Sequence, residues 1–336
     1  MFGKKSFYIN FYVKGFILLG LCLLMPVIAS AAKFKVLIVM SYDDAFPWVI
    51  ETKEGLESVL AGTCEIKYFY MDTKKHPETA KQKGKEAFHL YESFEPQGVI
   101  ASDEDAQSEF AVPYLKDKVK TPVMFCGVNA EAAKYGYPAS NVSGILERYH
   151  VAESIAFAQQ ILPSVKTFGY IMKDSTTGTA ALEQIKSETA SYSAKFAGAR
   201  MPKTLNETKA MTLELKEQCD ILFTPTMQGI TGDNGESLSD KEVLPVMAEI
   251  FGKPIIGGSG YNIKYGMLCG VIKTGQEQGR TAAKMLLKAM EGEAVSQMPV
   301  TRNQQGKRIV NVTVMKKLGI RPNPAVLEGA ELVRTE

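Results

Sequence analysis

From Phe34 onward the chain alternates short apolar runs with longer stretches whose apolar residues recur at helical spacing. The run Phe34-Lys35-Val36-Leu37-Ile38-Val39-Met40 is apolar and rich in β-branched residues, as a buried strand should be. Further strands are expected at 64–70, 97–101, 122–126, 167–172, 195–200, 220–224, 254–257 and 268–272. Helices are expected at about 48–61, 78–94, 104–117, 151–162, 178–190, 204–218, 240–251 and 275–291. Such alternation predicts an α/β protein with parallel sheets covered by helices on both faces.

The pattern occurs twice. Gly98-Val99-Ile100-Ala101-Ser102 leads through a helix to Thr121-Pro122-Val123-Met124-Phe125-Cys126-Gly127, and Asp220-Ile221-Leu222-Phe223-Thr224 leads through a helix to Lys253-Pro254-Ile255-Ile256-Gly257-Gly258. Each half reads as strand, polar loop, helix, then a proline-led strand ending in glycine. Proline is permitted at the first position of a strand, and glycine after it allows close backbone approach. Two lobes of similar build are therefore expected. Glu147-Arg148-Tyr149-His150 is a candidate crossing between them.

The first 31 residues read differently. Lys4, Lys5 and Lys14 give a basic start, Gly15 to Ala29 is apolar, and Ala29-Ser30-Ala31 supplies small residues for cleavage. An apolar stretch of 15 residues is short for a bilayer span, which needs about 20. Residues 1–31 are taken as a cleaved secretory signal. An uncleaved anchor is one alternative, and a lipid anchor on Cys22 another, although Leu21 before it is bulky for that processing site. The expected location is periplasmic or otherwise extracytoplasmic.

Removing the signal takes away three lysines and no acids, so the formal charge moves from +2 to −1. A near-neutral chain without a basic stripe gives no support for nucleic acid as a partner. Cys64, Cys126, Cys219 and Cys269 are scattered beside apolar runs, which favours buried free thiols over a disulfide. There is no CxxC, and His76, His89 and His150 lie far apart, so no metal site is expected. No cofactor is implied either: no GxGxxG follows the first strand, and GxxxxGK[ST] is absent.

In open parallel sheets, ligands sit outside the carboxyl ends of the strands. Those ends are Ser41–Trp48, Ser102–Ala106, Cys126–Asn129, Asp174–Gly178, Thr224–Gln228 and Gly257–Tyr261. If two sheets face each other, these loops line one cleft. The candidate ligand contacts in the first lobe are Ser41, Tyr42, Asp43, Phe46, Trp48, Ser102, Asp103, Gly127 and Asn129. In the second they are Asp174, Thr176, Thr226, Gly258 and Tyr261. Each has a plainer alternative. Pro47 looks like the first residue of a helix beneath which Trp48 would pack, and Glu104 and Asp105 suit a helix first turn. Asp43 and Asp44 could be a solvated loop.

The stretches VLIVMSYDDAFPWV, GVIASDEDA, TPVMFCGVNAE and NVSGILERYHVAESIAFAQQILPSVKTFGYIMKDSTTG carry a family resemblance. So do GQEQGRTAAKMLLKAMEGE and VNVTVMKKLGIRPNPAVLEGA near the end. The chain resembles periplasmic solute-binding proteins of ABC transporters, in the branch that includes tryptophan- and tyrosine-type binders. The resemblance implies a type I periplasmic-binding-protein architecture: two αβα Rossmann-like lobes with parallel sheets and a three-strand hinge. The first lobe would hold 33–147 plus 271–297, the second 148–270 plus 298–336. Hinge strands would pass near Ile145–Arg148, Cys269–Ile272 and Val300–Arg302. It also implies hinge closure around a small-molecule solute and presentation to membrane permease subunits. A monomer is the default for this class.

The amino-acid binders of this branch tend to carry a hydroxyl followed by small residues at the Ser102 loop. Here three acids follow Ser102 and two more stand in Ser41–Trp48, which would repel a ligand carboxylate. That leaves room for an amine-bearing, cationic or aromatic solute, with Tyr42, Phe46 or Trp48 stacking on it and Asp43 or Asp44 meeting a polar end. The alternative function is a periplasmic ligand sensor feeding a membrane sensor kinase. An exported enzyme is disfavoured, because a nucleophile needs a positioned base. His150, the histidine nearest the strand-end loops, falls in the expected crossing instead. GGSG at 257–260 lacks the GxSxG spacing.

Overall fold

The computed structural model describes residues 34–336; the expected signal segment at 1–31 lies outside the described residues. The chain begins with β1 (Phe34–Met40), whose residues from Val36 on are buried, and turns into α1 (Pro47–Leu60) with Pro47 in its first turn. β2 (Cys64–Tyr70) and α2 (Ala80–Phe94) follow, then β3 (Gly98–Ser102). After β3 the expected helix over 104–117 is a short α segment, α3 (Asp103–Ala106), continued as a π-helix (Gln107–Leu115). The wider π turn accommodates Pro113, which has no N–H for an α-helical ladder.

β4 (Val123–Val128) and β5 (Val142–Leu146) complete the first run. The first sheet has the order β13-β5-β4-β3-β1-β2, all parallel, where β13 (Thr301–Arg302) returns from far along the chain to pair with β5. The second sheet is built by β6 (Thr167–Ile171), β7 (Lys195–Arg200), β8 (Ile221–Thr224), β11 (Ile255–Gly257) and β12 (Cys269–Ile272), with β14 (Lys307–Asn311) and β15 (Glu331–Val333). Its order is β15-β14-β12-β11-β8-β6-β7, with β12 and β14 antiparallel. A small hairpin, β9 (Ile230–Thr231) with β10 (Ser237–Leu238), stands beside it.

Helices α4 (Val151–Ile161), α5 (Thr176–Ser187), α6 (Leu205–Gln218) and α7 (Asp240–Phe251) connect the second sheet, with the short α8 (Gly260–Lys264) and α10 (Val312–Lys317). Local chemistry sets their starts: Thr204 and Glu207 form a capping box on α6, and Ser175 Oγ accepts from Gly178 N at α5. α9 (Gly275–Met290) leaves the second sheet and packs on the first, against α1. The two helices approach closely at glycines: a Cβ on Gly279 would fall 2.1 Å from Thr52 O, and one on Gly55 2.4 Å from Gln276 O.

Each sheet is covered on both faces, and two buried clusters flank each one. The fold is the type I periplasmic-binding-protein architecture, with three crossings between the lobes. The crossings fall at 147–150, 273–274 and 303–306. Val271 and Ile272 therefore still pair within the second sheet, and Thr301 and Arg302 within the first. The expected lobe boundaries at 271 and 298 assign these short pieces the other way round, because apolar character alone does not tell which sheet a strand end extends. Asn303 ties the crossings together: its Oδ1 accepts from Arg148 N at 2.7 Å and its Nδ2 donates to Arg148 O at 3.1 Å. Gln278 Nε2 on α9 donates to Leu146 O at 3.1 Å. His150 lies here too, with Nε2 3.1 Å from Gln305 O. The cysteines at 64, 126, 219 and 269 are buried.

Candidate functional site

The strand-end loops of both sheets meet around a narrow cavity. On the first lobe, Tyr42, Phe46, Trp48, Lys74, Asp103 and Asn129 face it. Thr177, Pro225, Thr226, Ser259 and Tyr261 face it from the second, and Glu147, Tyr149 and Lys273 enter from the crossings.

The first wall is held by Ser41. Its Oγ donates to Ser102 O at 2.7 Å and accepts from Ala106 N at 2.9 Å, fixing the end of β1 against the start of α3. The loop then turns its aromatics inward. Tyr42 and Phe46 meet edge to face at 5.6 Å, and Phe46 meets Tyr261 of the second lobe at 5.8 Å. Tyr42 OH also reaches Thr177 Oγ1 at 3.0 Å, so the lobes touch directly across the cleft. Trp48 both packs in the core and lines the cavity, and its Nε1 donates to Asp103 Oδ1 at 3.0 Å.

Asp103 takes a left-handed backbone, φ 67°, which is uncommon for a non-glycine residue. Gly127 (φ 71°) makes room for it: a Cβ there would lie 2.6 Å from Asp103 Oδ1. Burial first, then the carboxylates of Glu147 and Glu104, raise the Asp103 pKa well above the usual range. Glu104 sits just behind the wall. Its Oε1 accepts from Asn129 N at 2.5 Å and Ala130 N at 3.3 Å, and its Oε2 accepts from Thr177 Oγ1 at 3.3 Å. Burial raises its pKa to about 7 against those hydrogen bonds.

Opposite charge is supplied by lysines. Lys273, 2% exposed, pairs with Glu147, 3% exposed, at 2.5 Å. The same ammonium lies 4.1 Å from the ring centroid of Trp48 and 4.4 Å from that of Tyr149. Lys74 stands 4.1 Å from the ring centroid of Tyr42. Such placements are favourable cation–π contacts. On the second lobe, Thr226 Oγ1 donates to Asp240 Oδ2 at 2.7 Å, which fixes that side of the wall.

Of the residues singled out from sequence, Tyr42, Phe46, Trp48, Asp103, Asn129, Thr226 and Tyr261 face the cavity. Ser41, Ser102 and Gly127 lie behind it; Ser102 Oγ donates to Asp103 Oδ2 at 3.0 Å instead of capping α3. Gly258 is also behind the wall, where a Cβ would fall 2.8 Å from Pro225 Cα. Asp43 turns away and pairs with Lys75 at 3.2 Å, and Asp44 is exposed. Asp174 pairs with Lys203 at 3.3 Å on the surface. Thr176 is exposed while its neighbour Thr177 faces inward, because α5 starts there and presents consecutive residues to different sides. The acids at or just behind the cavity wall are thus Asp103, Glu104, Glu147 and Asp240, not the pair in the opening loop.

Lys74, Glu147, Tyr149, Thr177, Pro225, Ser259 and Lys273 were not singled out as contacts. A usable signal existed for two of them: Glu147 and Lys273 each directly follow a buried strand, β5 and β12, where a charged side chain must find a partner. Among the described residues, no group of three or more His, Cys, Asp or Glu side chains is placed to hold a metal ion.

Two lobes with a polar, aromatic-walled cavity at their facing strand ends define the class of two-lobed solute-binding folds. The chain belongs to the ABC transporter substrate binding protein family, whose model matches residues 106–334. Among solved structures, an ABC domain from Streptococcus pneumonia in complex with L-Trp superposes with a TM-score of 0.71 at 17% identity, covering 90% of this chain and 100% of that one. A conserved domain protein from Vibrio cholerae gives 0.71 at 17%, covering 89% and 99%. A ligand-free, open substrate-binding protein with adhesive properties from Clostridium difficile gives 0.67 at 19%, covering 90% and 100%. At these identities the likeness is one of fold. Among curated proteins there is no significant match. Among the described residues, no helix is long and apolar enough to cross a membrane.

Proposed function

We propose that this protein is the extracytoplasmic solute receptor of an ABC-type importer, closing its two lobes around a small polar or aromatic solute and presenting it to a membrane permease. The observation that carries the reading is the buried Asn129. It is 3% exposed and lines the cavity, yet its Oδ1 has no hydrogen-bond donor among the described residues. A buried acceptor of this kind is costly unless something supplies its hydrogen bond. A solute donor between the lobes does so. The aromatic faces of Tyr42, Phe46 and Tyr261 provide the apolar contact that small-molecule sites need alongside a few polar groups.

Closure follows from the same geometry. Contacts such as Tyr42 with Thr177 and Phe46 with Tyr261 join opposite lobes. A solute that touches both walls adds contacts only when they meet, and so shifts the population toward the closed form. The test is a thermal-shift screen of residues 32–336 against amino acids, amines, nucleosides, sugars and aromatic acids. A ligand at 100 times its Kd stabilises by about 2.7 kcal/mol, a visible shift. A hit that Asn129→Ala abolishes supports the receptor reading. A hit that Asn129→Ala leaves unchanged places binding elsewhere and sinks it, as does silence across the panel.

A further inference from the structure

We propose that Trp48, Tyr149 and Glu147 form a cage for an organic ammonium ion, that Lys273 is its built-in occupant, and that the solutes this protein selects carry an ammonium group that competes with Lys273 for it. The inference rests on the receptor reading above and adds the solute's chemical class and the residue that filters it.

Lys273 is placed as a bound ligand would be. Its Nζ stands between two ring faces, at 4.1 and 4.4 Å from their centroids, and against one carboxylate at 2.5 Å. One ring comes from each side of the cleft. Trp48 belongs to the core of the first lobe and Tyr149 to that of the second. An ammonium here bridges the lobes as a cleft solute must. Aromatic faces around a desolvated cation are a known means of recognising organic ammonium groups.

The surroundings extend the preference for a cation. Asp103 and Asn129 line the same cavity. Asn129 Oδ1 is the acceptor without a donor, and its assignment follows from Nδ2 donating to Gly127 O at 3.4 Å. Lys273 spends its charge on Glu147, and the free acceptor remains for a second donor. A solute with an ammonium head and an apolar body can use both. Its head replaces the lysine between the rings while a further N–H reaches Asn129. A carboxylate in the same place would meet the like charge of Glu147.

The chain's single tryptophan, Trp48, is one wall of the cage and reports on it by fluorescence. Lys273→Ala opens the space beside Glu147. Ethylammonium chloride should then bind that variant saturably, at least about tenfold more tightly than wild type, and raise its Tm. Sodium chloride and ethanol should do neither. Equal responses in variant and wild type, or an equal response to ethanol, would overturn the cage.

Should Lys273→Ala not fold with Glu147 unpaired, Lys273→Gln keeps a donor to Glu147 without the charge. With this variant, 2-phenylethylammonium should gain about tenfold over wild type and 3-phenylpropionate should not gain. No gain for the ammonium, or a gain for the carboxylate, removes Lys273 as the filter. The receptor reading is judged apart from this, on the wild-type screen. A screen hit of equal affinity in wild type and Lys273→Gln keeps the receptor and discards the filter. Ethylammonium binding in Lys273→Ala without any screen hit keeps the cage and discards the receptor.

Discussion

The indole N–H of Trp48 donates to Asp103 Oδ1 at 3.0 Å, joining the first turn of α1 to the start of α3. Both groups are buried, so the bond links the aromatic wall to the acidic one. Trp48→Phe keeps an aromatic ring, smaller than the indole, and removes the donor. The loss should cost about 1–3 kcal/mol, as for an unmet buried acceptor. Urea unfolding followed by circular dichroism reads it; an unchanged midpoint would mean that Asp103 finds another donor at once.

Gly127 makes Asp103's position possible. Gly127→Ala faces a left-handed backbone and a Cβ 2.6 Å from Asp103 Oδ1. A penalty of about 1–3 kcal/mol is expected. A Tm equal to wild type would show that the carboxylate has room to move.

Thr177 is the hydroxyl through which the lobes meet Tyr42 and Glu104. Thr177→Val removes both hydrogen bonds at nearly constant shape. Loss of roughly 1 kcal/mol from the closed arrangement lowers solute affinity about fivefold. Small-angle scattering should show a larger radius of gyration for the variant. Identical scattering and affinity would rule this contact out as a closure determinant.

Glu104 gives the protein a pH dependence of definite sign. Its pKa of about 7 stands above the ordinary glutamate value of 4.5, chiefly because it is buried. Between those values the folded chain holds more protons than the unfolded one. Its contribution is therefore fully present below pH 4.5 and is lost as pH rises through 7. The whole change is on the order of 3 kcal/mol. Asp103, raised in the same direction by burial, adds to the fall. Glu104→Gln can still accept from Asn129 N and should flatten the profile. Chemical denaturation from pH 4.5 to 8 compares the two; parallel curves would contradict the assignment.

The buried cysteines should be silent toward thiol reagents. Burial pushes the Cys126 and Cys269 thiols up to about 12, leaving almost no thiolate at pH 8. Native protein is expected to react at none of the four positions on the minutes scale and at all four in guanidinium. Fast reaction of the folded protein would show an opening of the core.

Much of the fold was legible because buried parallel strands write themselves as apolar runs. β1, β2 and β7 have the expected bounds. β14 and β15 were missed: Lys307-Arg308-Ile309-Val310-Asn311 is half charged at its exposed end, and Glu331–Val333 is too short to show a period. At the site, the aromatics of the opening loop were readable, since large rings at a strand end must be covered by something. Which of the neighbouring acids turned inward was not. Asp103 points in through a left-handed backbone, and Asp43 points out toward a lysine on another loop. For Lys273 the only signal was a charge directly after a buried strand, because the rings that bury it arrive from two lobes.

The late return of α9 and β13 to the first sheet has a consequence for how the molecule is made. A nascent chain that has emerged only as far as β5 possesses five of the strands of its first lobe but lacks the helix that covers α1 and the strand that pairs with β5. The bare face of α1, with Leu56, waits until α9 has been synthesised, and the open edge of β5 waits for Thr301 and Arg302. The first lobe, although begun first, is thus completed only at Arg302, shortly before β14 and β15 complete the second. Its assembly is governed by contacts distant in sequence, which slow folding and prolong the loose state during which a chaperone can act.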